Sequence, residues 1–151
     1  MTGDDHVILL VEDNADDVEL TRMAFARSNV ANRLVVVHDG AEALDYLFGT
    51  GAYAGKDLPV PNVVLLDLNL PKINGLGVLR QMRAHERSLR LPVVVLTTSA
   101  EERDIVASYD LGANSYVRKP VDFSEFLDAA RQLGLYWLVL NTRPRTEEVT
   151  L

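Results

Sequence analysis

The sequence predicts a doubly wound α/β domain: an open parallel sheet with helices packed on both faces. Three observations carry this. Short apolar runs without alternation recur along the chain, as strands buried on both faces require. Capped helical stretches separate them, so strand and helix alternate throughout. At 151 residues the chain is too short to close an eight-fold barrel, and the sheet must stay open.

Val7 to Val11 (VILLV) reads as the first strand and, lacking alternation, as a central one. Asp13, Asn14 and Asp16 then supply capping chemistry for a helix ending near Ser28, with Leu20, Met23, Ala24 and Arg27 at helical spacing. Leu34 to Val37 is the second strand and Ala41 to Phe48 the second helix. Gly49 to Pro61 is rich enough in glycine and proline to form a long exposed loop. Val63 to Leu66 is a strand, Leu76 to Arg87 a helix, Val93 to Leu96 a strand, and Glu102 to Leu111 a helix closed by Gly112. Ser115 to Val117 is the fifth strand and Phe123 to about Leu140 the final helix. Five βα units of this kind give a flavodoxin-like sheet of order 2-1-3-4-5. The folded domain is expected over 1–140, with 141–151 as a polar tail.

Composition narrows the function. With 48% hydrophobic residues a core can form, and 15 basic against 22 acidic residues give a formal charge of −7 and a pI near 4.9. Acidity of that degree argues against nucleic acid and anionic lipid as partners. No cysteine is present, so thiolate nucleophiles, disulfides and cysteine-rich zinc sites are excluded, and any metal must be held by oxygen or nitrogen. The start, MTGDDH, has acids where a signal peptide has bases, and no apolar run approaches the ~20 residues that cross a bilayer. A cytoplasmic protein without membrane contact is expected.

Open α/β sheets place their sites beyond the carboxyl ends of the strands. Glu12 and Asp13 follow the first strand, Asp67 the third, Thr97 the fourth, and Lys119 the fifth, just before Pro120. Singly, each has an ordinary explanation as a cap, a β residue or a turn; together on one edge they form a constellation. Three carboxylates and one lysine sum to −2, which a divalent cation neutralises, and an all-oxygen set favours Mg²⁺. The metal and Lys119 would stabilise a phosphoryl group in flight. Asp67, at the end of a rigid strand, is then the nucleophile, and the Thr97 hydroxyl a donor to phosphoryl oxygen.

The blocks VILLVEDN, VVLLDLNLPKINGL, PVVVLTTS and GANSYVRKP resemble the receiver domains of two-component response regulators, from about Val7 to Leu133. The resemblance implies that Asp67 accepts a phosphoryl group from the phosphohistidine of a histidine kinase. It implies Mg²⁺ held by Glu12, Asp13, Asp67 and the Asn69 backbone carbonyl, Lys119 on the phosphoryl group, and a cis peptide before Pro120. Thr97 and Tyr116 become a switch pair, and Asn69 and Ser99 the positions that tune the lifetime of the acyl phosphate. Glu12 departs from the Asp of many receivers, although the longer carboxylate still reaches a metal through water. The Gly49 to Pro61 loop, the LTTS block and a Trp-bearing final helix resemble single-domain regulators associated with bacterial and cyanobacterial phytochromes.

The expectation is therefore a stand-alone response regulator, a phosphoprotein acting in phosphorelay signal transduction through a surface near its fourth and fifth helices on an unknown downstream protein. It is not an enzyme beyond its own phosphorylation and dephosphorylation. Alternatives are a phosphoryl sink or relay intermediate, and an aspartyl-phosphate phosphatase of the haloacid dehalogenase type, against which Asn69 stands where a second Asp is usual. A flavin-binding flavodoxin is opposed by the acids in its would-be phosphate loop. Leu135 to Leu140 are apolar all round the final helix, and a homodimer through this face is expected. His6, His38 and His85 receive no role, and Arg80, Arg83, Arg87 and Arg90 are read as a solvated face.

Overall fold

In chain order the elements are β1 (Val7–Val11), α1 (Ala15–Ala26), β2 (Arg33–Val37), α2 (Gly40–Phe48), β3 (Val63–Leu66), α3 (Gly75–Ala84), β4 (Val93–Thr97), α4 (Glu102–Asp110) and β5 (Ser115–Arg118). They belong to a computed structural model that describes residues 7–27, 33–98, 101–119 and 128. All pairings are parallel and the order is β2-β1-β3-β4-β5, as the sequence predicts. Every residue of β1, β3 and β4 is buried, which is why these strands read as unbroken apolar runs.

Alternate residues divide between two cores. Leu9, Val11, Val64, Leu66, Val93 and Val95 join Leu44, Leu47, Val78, Leu79 and Met82 from α2 and α3. Ile8, Leu10, Val63, Leu65, Val94 and Leu96 meet Val18, Ala24 and Phe25 of α1. The predicted final helix lies outside the described residues except for Asp128, as do Ser99, Pro120, His6 and the tail. Among the described residues no helix is long and apolar enough to cross a membrane.

Several local readings need correction. Asn14 alone caps α1, accepting from the Asp17 amide at 3.0 Å. Its buried face runs through Val18, Thr21, Ala24 and Phe25, and Met23 is 39% exposed. Thr21 is tolerated inside because its hydroxyl donates to the Asp17 carbonyl at 2.8 Å. The third helix stops at Ala84, short of Arg87: His85 turns extended, and the Ser88 hydroxyl donates to the Met82 carbonyl at 2.8 Å.

The Gly49 to Pro61 segment is the long, mostly exposed loop that its glycines and prolines predict, with some local order of its own. It contains a 3-10 turn at Gly51–Tyr53, and the Tyr53 hydroxyl donates to Glu42 at 2.8 Å while its ring meets Tyr46 edge-on at 5.3 Å. The Tyr46 hydroxyl donates to the Pro59 carbonyl at 3.0 Å.

Arg83 is not part of a solvated face. Its guanidinium donates to the carbonyls of Ser88, Leu89, Leu91, Leu111 and Gly112, clamping the turn before β4 to the turn before β5. Arg87 likewise donates to the Phe48 carbonyl at 3.0 Å, while His85 stacks on the Phe48 ring.

Candidate functional site

The strand ladders continue one rung past the strands, into the site. The Glu12 amide donates to the Val37 carbonyl at 3.0 Å, the Asp67 amide to Val11 at 3.1 Å, and the Lys119 amide to Thr97 at 2.7 Å. Sheet geometry therefore fixes the backbones that carry the two buried carboxylates and the lysine. Glu12 is 1% exposed and Asp67 and Lys119 are 6% exposed, while Asp13 faces solvent.

Glu12, Asp13 and Asp67 each offer a carboxylate oxygen, and these lie within 4.8 Å of one another. An all-oxygen donor set of this kind suits a hard divalent cation. Burial, with help from the Asp67 charge, pushes Glu12 up to about 7, against the pull of the Lys119 bond and charge and of the Asn14 amide.

Lys119 Nζ donates to Glu12 Oε1 at 2.7 Å and lies 3.5 Å from Asp67 Oδ2. It also donates to Asp17 Oδ2 at 2.8 Å. Burial alone would pull the ammonium down, but the bonds to Asp17 and Glu12 and the nearby carboxylate charges outweigh it, and the group is raised.

Asp17 is the residue that sequence reasoning missed. It corrects the charge at the site, since four acids against one lysine sum to −3 rather than −2. The available signal was its place three residues after the Asn14 cap, in the helical turn facing the strand ends.

Asn69 closes the turn after β3. Its amide donates to Asp67 Oδ1 at 3.1 Å, and its side-chain Nδ2 reaches Thr97 Oγ1 at 3.5 Å and Thr98 Oγ1 at 3.2 Å. Thr97 is fully buried at the end of β4. Tyr116 pairs with Val95 and packs, partly buried, against the core under α2 and α3 rather than among the carboxylates. The start of α3 presses on the same turn: the Gly75 amide donates to the Leu68 carbonyl at 3.0 Å, and a Cβ there would overlap the Asp67 carbonyl oxygen.

The response regulator receiver domain family matches this chain over residues 8–131. The chain belongs to that family. The receiver is 38% identical over 138 residues to the response regulator Rcp1 of Synechocystis, covering 91% of this chain and 92% of Rcp1. The crystal structure of the phosphorylated cyanobacterial phytochrome response regulator RcpA superposes with a TM-score of 0.84 at 41% identity, over 93% of this chain and 99% of that one. The Mn²⁺-bound form of Rcp1 gives a TM-score of 0.83 at 38% identity over the same shares. Receivers take phosphoryl groups from histidine kinases and are generally signalling proteins rather than catalysts of turnover. This membership does not favour the phosphatase alternative.

Proposed function

We propose that this receiver takes a phosphoryl group onto Asp67 from the phosphohistidine of a phytochrome-type histidine kinase, in a reaction that requires Mg²⁺. The carrying observation is the Asp67 carboxylate itself: buried at the end of a central strand, with Oδ1 held by the Asn69 amide and Oδ2 turned toward Lys119. Oδ2 attacks phosphorus as the P–N bond breaks, and the imidazole keeps the electron pair and later gains a proton. Glu12, Asp13, Asp67 and the Asn69 carbonyl would hold Mg²⁺, which supplies positive charge to the phosphoryl oxygens. Lys119 binds a phosphoryl oxygen, and the buried Thr97 hydroxyl is placed to follow, with Tyr116 as its switch partner. The likeness to a phytochrome response regulator supports the kinase class, and the likeness to Mn²⁺-bound Rcp1 supports the metal site.

The readout is a changed surface on a protein acting in the cytoplasm. The dimer expected through Leu135 to Leu140 falls outside the described residues and rests on the sequence pattern alone. The test is intact-mass spectrometry after incubation with acetyl phosphate. Wild type with Mg²⁺ should gain one phosphoryl group; Asp67→Asn, or wild type with excess chelator, should gain none. An equal gain in the mutant would reject Asp67 as acceptor.

A further inference from the structure

Lys119 stands on two supports of different kinds. Glu12 belongs to the group of carboxylates whose oxygens converge within 4.8 Å; Asp17 does not, yet its Oδ2 sits 2.8 Å from the same Nζ. The Asp17 side chain is 31% exposed and projects from the first turn of α1, where the helix dipole favours a negative charge. The Lys119 side chain is only 7% exposed, so its ammonium needs a partner at all times.

A divalent cation entering between Glu12, Asp13 and Asp67 must compete with that ammonium for Glu12. Without Asp17 the competition would leave Lys119 buried beside a second cation with no anchor outside the metal's own ligands. With Asp17 the ammonium loses one bond and keeps the other.

We infer that Asp17 is a positioning residue that retains Lys119 at the site when a divalent cation takes Glu12, and so lowers the cost of loading the metal. The inference rests on the proposed metal site and deepens it. Asp17 is not one of the converging carboxylates, and it acts through its bond to Lys119.

A double-mutant cycle on Mg²⁺ affinity, measured by titration calorimetry on the full chain, tests this. Asp17→Asn should weaken Mg²⁺ binding about tenfold in the native background, because the freed ammonium falls back on Glu12. In a Lys119→Met background, which keeps side-chain volume and removes the competitor, Mg²⁺ should bind at least as tightly as to the native chain. There Asp17→Asn should cost several-fold less. An Asp17 acting only through its own field predicts the opposite order, since its charge is least screened when Lys119 is gone. An equal or larger penalty in the Lys119→Met background therefore overturns the positioning role and leaves the metal site standing. If the native chain itself takes up no Mg²⁺, the metal site falls, and this inference with it.

Discussion

Replacing Arg83 by alanine should unfold the molecule more readily than any other exposed-looking substitution on α3. The side chain donates through Nε to Leu111 at 3.2 Å, through Nη2 to Gly112 at 2.8 Å, and through Nη1 to Ser88, Leu89 and Leu91 at 3.3, 3.1 and 2.9 Å. Two Nη1 hydrogens serve three carbonyls, so those bonds are shared. Counting each nitrogen once leaves three charge-assisted bonds. Two acceptors, Leu89 and Gly112, lie toward solvent, which holds each bond to about 1 kcal/mol. The expected loss is about 3 kcal/mol. Arg83→Lys puts a point charge in place of the fork and should retain about a third of that stabilisation. Gly112 has a φ of +88°, and a Cβ there would lie 2.7 Å from Arg83 Nε, so Gly112→Ala should cost more in the native chain than in Arg83→Ala. Urea unfolding followed by circular dichroism measures all of these. If Arg83→Ala falls within about 0.5 kcal/mol of wild type, as an ordinary surface substitution does, the clamp contributes nothing and the reasoning fails.

The remaining predictions concern the site. Glu12, raised to about 7, must lose its proton to bind a metal, so Mg²⁺ affinity should fall about tenfold between pH 8 and pH 6, and calorimetry in buffers of different ionisation heat should detect proton release near neutrality. In the metal-free protein the sign for stability is also fixed. The folded state holds this proton between pH 4.5 and about 7 where the unfolded chain does not, so the contribution of Glu12 to stability should decline as pH rises through that window. Gly75→Ala should push the turn carrying Asp67 and Asn69, lowering stability by about 1 to 3 kcal/mol and slowing labelling by acetyl phosphate; unchanged labelling would show that the turn absorbs the methyl group.

What could be read from the chain beforehand follows from how each feature is encoded. β1, β3 and β4 are buried on both faces, so each announces itself as an apolar run, and their ends place Glu12, Asp13, Asp67 and Thr97; Lys119 follows β5, a partly buried SYVR strand marked by its position in the βα alternation rather than by an apolar run. Asp17 was hidden because its meaning depends on how α1 is rotated about its axis. That helix has a weak apolar stripe with Thr21 inside and Met23 outside, and spacing alone finds Ala24 and Leu20 on the core but rotates the face too far toward solvent at Met23 and Arg27. Arg83 was hidden for another reason. Its acceptors are backbone carbonyls, which every residue type carries, so nothing in the sequence marks them as partners.

The parallel sheet also acts as a ruler. Strands lie about 4.8 Å apart, and β1 and β5 are separated by three such intervals, about 14 Å. Lys119 and Glu12, projecting from the ends of those two strands, nevertheless meet at 2.7 Å. A long cationic chain and the longer of the two carboxylates together close that span, and an aspartate at position 12 would reach less far by roughly one carbon–carbon bond, ~1.5 Å. The glutamate is thus a matter of length: with Lys119 it ties β1 to β5 across β3, which carries Asp67, and β4, leaving only the edge strand β2 outside the span.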